Sequence, residues 1–107
     1  MSYSVIYTHI FEKELKKLAK KYPSIKSDIA SLTASLRENP LQGVEVLANC
    51  YKIRFSIKSK GRGESGGGRL ITLIKIEHEH VMLISIYDKS EKETIPTYTL
   101  EYLIKDL

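Results

Sequence analysis

Residues 69–87 read RLITLIKIEHEHVMLISIY, and they predict the centre of the fold. Two parts of it, residues 69–76 and 81–87, are almost continuous runs of β-forming residues, and the polar segment 77–80 separates them. Apolar runs of this length are typical of strands inside a sheet, and a short polar break between two such runs favours a hairpin. We therefore expect a central antiparallel hairpin that helices cover on one side.

Residues 50–58, CYKIRFSIK, predict the strand beside this hairpin. Apolar and polar residues alternate with a period of two, so one face of the strand is apolar and the other is basic. The connection to the hairpin, residues 59–68 (SKGRGESGGG), holds five of the six glycines. This composition predicts no regular structure, and we expect a long, mobile loop.

The first half of the chain predicts one strand and two helices. Residues 3–7 (YSVIY) are rich in β-formers, Thr8 and Ser24 are suitable helix N-caps, and Pro23 separates the two helices. Apolar residues recur every three or four positions along both helices. These residues are Phe11, Leu15, Leu18, Tyr22, Ile25, Ile29, Leu32 and Leu36.

A short C-terminal helix is expected to begin near Thr97, after Pro96. The predicted order is therefore β-α-α-β-β-β with an added helix, which is an α+β fold. We expect one domain, residues 1–107, in which a helical hairpin packs on one face of an antiparallel sheet. The other face of the sheet, or its rim, would then be free for a partner.

Length and composition fit one small globular domain. The chain has 107 residues, of which 42% are hydrophobic. No apolar run approaches the roughly 18 to 20 residues that a membrane span requires, and the N-terminus lacks the pattern of a signal peptide. The single cysteine, Cys50, excludes an internal disulfide. We expect a cytoplasmic protein without a membrane partner.

The positive charge is concentrated in one region. Residues 52–69 contain six basic residues and one acid, Glu64, whereas the rest of the chain is close to neutral. A polyanion such as nucleic acid is one explanation, and a solvated loop is the other. The first helix carries further lysines, which form either a solvated face or a secondary contact with nucleic acid or a partner. These are Lys13, Lys16, Lys17, Lys20 and Lys21.

The antiparallel order predicts where the basic residues meet. Lys52, Arg54 and Lys58 fall on one face of their strand, and unpaired cations on that face must meet solvent or an anion. The end of this strand lies beside the start of the next one, and the last strand ends at the same place. A cluster is therefore expected at one end of the sheet: Arg54, Lys58, Arg69, Tyr87 and Lys89.

Cations clustered with a phenol can act on RNA without a metal ion. Guanidinium groups neutralise a phosphorane, an amine among cations can accept the 2′-OH proton, and a phenol or ammonium can protonate the leaving oxygen. The same groups can also bind a phosphate without cleaving it, and the residues alone favour binding. His78 and His80 lack a third ligand, so we expect neither a metal site nor a cofactor.

Three segments resemble the RelE/ParE superfamily of bacterial toxins: CYKIR (50–54), GGGRLI (66–71) and LISIYDKSE (83–91). The resemblance covers nearly the whole chain and is strongest to the RelE and HigB-like branch. It implies a type II toxin that cuts mRNA on the ribosome by 2′-OH attack on the adjacent phosphate. It also implies a cognate antitoxin as a protein partner, with mRNA and the ribosome as the other partners.

The resemblance also implies roles for individual residues. Lys52 would be a base or a phosphate ligand, Arg54 and Arg69 would stabilise the transition state, and Tyr87 and Lys89 would stack on the substrate or act as acids. The basic residues of the loop would bind RNA: Lys58, Lys60 and Arg62.

The chain also departs from the RelE-like pattern, because Ile95 occupies the position of a stacking tyrosine. Two other functions stay open, and this departure supports the second of them. One is a ParE-like inhibitor of DNA gyrase without nuclease activity, and the other is an inactive member that only binds an antitoxin.

Overall fold

The computed structural model describes residues 2–92 and 94–107. It contains three helices and five strands within those residues, in the order β1 (Ser4–Tyr7), α1 (His9–Lys21), α2 (Ile25–Glu38), β2 (Val44–Leu47), β3 (Cys50–Phe55), β4 (Gly68–Lys75), β5 (His80–Asp88) and α3 (Thr97–Ile104). Single 3₁₀ turns at Lys58–Lys60 and Ile76–His78 follow β3 and β4. The predicted α+β class is confirmed, and the predicted elements follow one another in the expected order, with one additional strand, β2.

The sheet has the strand order β1-β5-β4-β3-β2. β4 and β5 form the predicted antiparallel hairpin, β3 pairs antiparallel with β4, and β1 pairs parallel with β5. The sheet is therefore mixed rather than purely antiparallel. Two helices and the strands β2, β3 and β4 separate β1 from β5 in the chain, and such a long connection can return β5 parallel to β1.

The two helices α1 and α2 cover one face of the sheet. Phe11 and Ile25, both fully buried, represent the apolar stripes that the sequence predicted on the two helices. They pack in one cluster with sheet residues such as Leu70 and Leu83. Thr8 caps α1 as expected: its Oγ1 accepts a hydrogen bond from the Phe11 amide at 3.4 Å and donates one to the Leu83 carbonyl at 2.7 Å.

The N-terminus of α2 differs from the expectation. Ser24 occupies the N-cap position, but its side chain makes no capping bond to the helix backbone. Instead its Oγ donates to Asp28 Oδ2 at 2.7 Å. The predicted side-chain cap was wrong because a carboxylate one turn along competes for the hydroxyl.

The opposite face of the sheet is not free, which corrects the sequence analysis. Helix α3 packs on it through Leu100, and Ile95 in the preceding segment joins the same apolar cluster. On the sheet, Ile71 and Ile84 are almost fully buried in this second cluster. The near-continuous apolar runs of β4 and β5 therefore have a physical reason, since both faces of these strands are covered.

Two further boundaries differ from the prediction. The edge strand β2 lies between α2 and β3, where the sequence analysis predicted no strand, and its Val44 is 66% exposed. Strand β3 ends at Phe55, so Lys58 lies in a 3₁₀ turn rather than in the strand. Within the residues described, no helix is long and apolar enough to cross a membrane.

We expect Phe11→Ala to lower the free energy of unfolding by about 3–5 kcal/mol, because it would leave a cavity beneath α1. The Phe11 ring is fully buried and makes an edge contact with Tyr7 at 5.0 Å between centroids. Urea denaturation measures the loss. The matched control is Ile10→Ala, one residue earlier and 42% exposed, for which a change within about 0.5 kcal/mol is expected. Equal losses for both variants would contradict this packing.

Candidate RNA-binding cleft

The strand register aligns three of the predicted site residues in one row. Arg54 of β3 lies directly opposite Arg69 of β4, and Arg69 lies directly opposite Tyr87 of β5. Neighbouring strands are about 4.8 Å apart, so the three residues cross the sheet as close neighbours. Lys52 lies on the same face, two residues before Arg54 and opposite Ile71. The sheet therefore brings these four residues together at one end, on the α3 side.

Arg54 and Arg69 differ sharply in exposure. Arg54 is exposed, whereas Arg69 is only 3% exposed. The Nη1 atom of Arg69 donates to the carbonyls of Glu64 and Gly68 at 2.9 and 3.0 Å, and Nη2 donates to the carbonyl of Ser65 at 3.2 Å. Residues of the glycine-rich loop thus wrap the guanidinium group. Sequence reasoning placed Arg69 correctly at the start of its strand but could not foresee this enclosure.

The charge of Arg69 is solvated by carbonyl dipoles rather than neutralised by an acid. Among the described residues the ion pairs are those of Asp88, with Lys21 and Lys60. Two cations directly opposite each other on neighbouring strands repel, and this destabilises the pair unless an anion lies close to both. A phosphate bound beside Arg54 and Arg69 would therefore reduce the repulsion between the two guanidinium groups.

The loop after β3 follows a compact path, which the expectation of a long, mobile connection did not anticipate. A Cβ atom on Gly67 would lie 2.3 Å from the carbonyl oxygen of Phe55, and one on Gly68 would lie 2.4 Å from the Phe55 ring. The amide of Lys89 donates to the carbonyl of Gly67 at 3.1 Å. The glycines therefore serve close backbone approach, and the loop sits against β3 and the end of β5.

Two cavities meet at Lys52. The larger, of about 690 Å³, is bordered by Lys52, Arg54 and Glu64, with β2 on its other side. The smaller, of about 210 Å³, is bordered by Lys52, Tyr87 and Ile95. We call these two cavities together the basic cleft. Its larger part is within the size range of small-molecule and nucleotide sites.

Tyr87 lines the cleft, but its ring is not accessible for stacking with a ligand. The side chain is 3% exposed, and the ammonium of Lys92 lies 5.3 Å from the ring centroid, within cation–π distance. A base cannot stack on a ring that is buried to this extent. Lys92 was not singled out from the sequence, because nothing in a segment beyond the last strand marks its position over this ring.

The remaining predicted site residues, namely the catalytic candidate Lys89 and the RNA-binding candidates Lys58, Lys60 and Arg62, have separate surroundings. Lys58 and Arg62 are exposed on the loop, and Lys89 is half-buried immediately after β5. Lys60 differs, because its Nζ donates to Asp88 Oδ1 at 2.6 Å and its side chain is only 11% exposed. The charge of Lys60 is thus already paired inside the protein, whereas Lys58 and Arg62 are exposed to solvent.

Asp88 is the main residue that sequence reasoning missed. Its carboxylate is fully buried and accepts hydrogen bonds from the Tyr22 hydroxyl, from Lys60, and from the backbone and side chain of Ser90. Burial alone would raise the pKa of Asp88, but these hydrogen bonds, that of Lys60 foremost, hold the pKa well below its ordinary value of 3.8. The network ties the end of α1 to the loop and to the end of β5.

No metal-binding cluster is found in residues 2–92 and 94–107, where no three His, Cys, Asp or Glu side chains come together. His78 and His80 pair at 5.8 Å between ring centroids, near the turn between β4 and β5. Cys50 is fully buried, and burial raises the pKa of its thiol to about 11. A thiol in such surroundings is unreactive.

Comparison with known proteins shows a fold shared with RelE toxins. No model of a known protein family matches the sequence, and no curated protein does. Among solved structures, a mutant of the E. coli toxin RelE in the free state is 21% identical over 87% of this chain and 90% of its own, with a TM-score of 0.64. The isolated E. coli RelE toxin is 19% identical over 99% of this chain and all of its own, also with a TM-score of 0.64.

A third similar structure is the RelBE2 toxin–antitoxin complex from Mycobacterium tuberculosis. It is 22% identical over 82% of this chain and 99% of the matched chain, with a TM-score of 0.60. The chain therefore has a RelE-like fold, as the resemblance of its sequence implied. At this identity the likeness concerns the fold, and function has to be argued from the cleft.

Asp88→Asn is expected to lower the free energy of unfolding at neutral pH by about 3 kcal/mol, because it leaves the mostly buried ammonium group of Lys60 without its counter-charge. Because the folded-state pKa of Asp88 lies below 3.8, the carboxylate stabilises the protein fully above that pH and progressively less below it. The variant should therefore lose less stability than the native protein between about pH 4 and pH 2, as measured by urea denaturation. The control is Asp106→Asn, at an exposed acid, and an equal effect of the two changes would contradict the proposed network.

Proposed function

We propose that this chain is the toxin of a type II toxin–antitoxin pair and acts as an endoribonuclease on mRNA in the ribosome. The observation that carries the proposal is the alignment of Arg54 with Arg69 across β3 and β4 in a RelE-like fold, where Arg54 and Lys52 border an open cleft and Arg69 lies buried beside it. Unpaired cations at this spacing suit the phosphodiester backbone. The cleft is also lined by Gly43 and Val46 of the β2 region, which leave room for a nucleotide.

The proposed reaction is an attack of the ribose 2′-oxygen on the adjacent phosphorus. Lys52 accepts the 2′-OH proton, the bond between phosphorus and the 5′-oxygen breaks, and Lys89 protonates the departing oxygen. The products are a 2′,3′-cyclic phosphate and a 5′-hydroxyl. Arg54 and Arg69 neutralise the charge that builds on the phosphorane, so the proposal needs no metal ion for this step.

Arg69 reaches the phosphate in this proposal by exchanging partners. In the free protein three loop carbonyls accept its hydrogen bonds. A phosphate offers the guanidinium a full negative charge and a bidentate acceptor, whereas a carbonyl offers only a dipole, so a phosphate can replace the carbonyls. Exposed Arg54 would make the first contact, and Arg69 would follow as the loop gives way.

An antitoxin is the expected protein partner under this proposal. A toxin with an open basic cleft has to be silenced, and an acidic or extended segment laid across the cleft would neutralise Arg54 and Lys52 while blocking RNA. A small acidic reading frame beside that of this chain, whose product binds it, would agree with this assignment.

The decisive variant is Arg54→Ala, because Arg54 is exposed and its removal leaves the fold intact. We expect the rate of mRNA cleavage on translating ribosomes to fall about 100-fold or more. Enzymes lose rate to this extent when one hydrogen-bond donor to the transition state is removed. Arg69→Lys should also lose activity, since an ammonium lacks the planar fork of donors. The matched control is Arg37→Ala at an exposed residue of α2, which should cleave normally.

The readout is the chemistry of the RNA ends. A 2′,3′-cyclic phosphate within translated codons is expected, and a 2′-O-methyl group at the cut site should abolish cleavage. Unchanged cleavage by the Arg54 variant would reject this cleft as the active site. Intact mRNA together with inhibition of purified DNA gyrase would instead establish the ParE-like activity, and intact mRNA with antitoxin binding alone would establish an inactive member.

A further inference from the structure

The glycine-rich loop forms an arch between two points that are tied to the end of β5. We call residues 61–66, which are mostly exposed, the arch. Before the arch, Lys60 Nζ donates to Asp88 Oδ1 at 2.6 Å, and we call this ion pair the latch. After the arch, the carbonyl of Gly67 accepts a hydrogen bond from the amide of Lys89 at 3.1 Å. Both ends of the arch therefore depend on contacts with the last residue of β5 and the residue after it.

The middle of the arch stands clear of the rest of the protein. A Cβ atom on Gly61 or Gly63 would meet no atom within 4 Å beyond its chain neighbours, and the two φ angles, 73° and 65°, lie in the left-handed region. The arch meets the sheet at Arg69, whose guanidinium donates to the carbonyls of Glu64 and Ser65 at 2.9 and 3.2 Å. An outward movement of the arch would therefore free these donors of Arg69.

The latch joins the loop to a fixed part of the core. The Asp88 carboxylate is fully buried and the Lys60 side chain is only 11% exposed, so salt and water screen this ion pair weakly. Asp88 is also held independently of Lys60, because it accepts hydrogen bonds from the Tyr22 hydroxyl and from the backbone and side chain of Ser90. Lys60 therefore connects the start of the arch to a carboxylate that stays in place.

The geometry determines the direction in which the latch acts on Arg69. The backbone of Arg69 is held in β4 between Arg54 and Tyr87, whether or not the arch is closed. Its guanidinium can exchange partners with a phosphate only when the arch carbonyls leave it. A contact that holds the arch closed makes this exchange more costly, and the apparent affinity falls with the fraction of molecules in which Arg69 is free.

We propose that Lys60 is a positioning residue, which acts through the arch on Arg69 and does not itself contact RNA. The latch keeps the arch carbonyls on Arg69 in the free protein, and it sets how readily the guanidinium becomes available to a phosphate. The inference rests on the proposed function, because it takes the cleft to bind a phosphodiester through Arg69. It differs in sign from the direct contact with RNA that the sequence predicted, since losing a direct contact would weaken binding.

The test is the affinity for an uncleavable 2′-O-methyl trinucleotide, measured by isothermal titration calorimetry. Lys60→Met keeps an apolar stem and removes the ammonium group. We expect it to bind the trinucleotide about fivefold more tightly or better, although the variant has one positive charge fewer. The matched control, Lys26→Met, removes an exposed lysine of α2 and should change the affinity less than about twofold.

Two further variants separate this role from a structural one. In an Arg69→Lys background, Lys60→Met should change the affinity less than about twofold, because the gain needs the guanidinium. Lys60→Met combined with Asp88→Asn removes both charges of the latch and should also tighten binding, in the presence of Arg69. This double variant replaces the single one if a buried carboxylate without its cation prevents folding.

Weaker or unchanged binding by the latch variants would overturn the proposal, and so would a gain that persists in the Arg69→Lys background. If the native protein binds the trinucleotide through Arg54 while the latch variants have no effect, the proposed function stands and the role of Lys60 is wrong. Failure of the native protein to bind the trinucleotide would overturn both.

Discussion

The register between β3, β4 and β5 is the constraint on which the cleft depends. Arg54, Arg69 and Tyr87 share a row because each lies opposite the next across two strand pairs. Side chains alternate between faces along a strand, so a slip of one residue would move Arg54 into the apolar face beside α1 and α2. Burial of Ile53 and Phe55 in that face prevents the slip. The hydrophobic core therefore holds two cations side by side despite their repulsion.

The buried carboxylate of Asp88 also stabilises the region around the cleft. It anchors the loop through Lys60 and anchors the end of α1 through Tyr22. Asp28 adds a second anchor by accepting the Lys58 amide at 3.1 Å. Between these anchors and β4, the glycines let the loop backbone pass close to Phe55 and surround Arg69. The same loop thus provides the carbonyl groups that solvate the guanidinium of Arg69.

Much of the fold could be predicted because it depends on local periodicity. The stripes of α1 and α2, the cap at Thr8 and the β4–β5 hairpin all follow from spacing within one segment. Strand β2 was not predicted because it has only four residues and lies at an exposed edge of the sheet. So short a segment carries little periodic pattern of apolar and polar residues. The position of α3 was not predicted either, because an apolar stripe on a helix does not determine which face of a sheet the helix covers.

The site was predictable to the extent that strand order determines it. Antiparallel pairing was enough to bring Arg54, Arg69 and Tyr87 together. Lys58 was expected on the same strand face as Arg54, but the strand ends at Phe55, three residues before Lys58. The ion pair between Lys60 and Asp88 joins residues 28 positions apart, and no local pattern predicts such a partner. The enclosure of Arg69 likewise depends on how the loop backbone folds.

The central claim is that Arg54 and Arg69 meet one phosphate in the basic cleft. Its most direct test is NMR of the arginine side-chain N–H groups during titration with an uncleavable 2′-O-methyl trinucleotide. The account predicts that the Arg54 and Arg69 signals shift together with one dissociation constant, while the signal of exposed Arg37 stays in place. Shifts that spare both Arg54 and Arg69 while the trinucleotide binds elsewhere would contradict it.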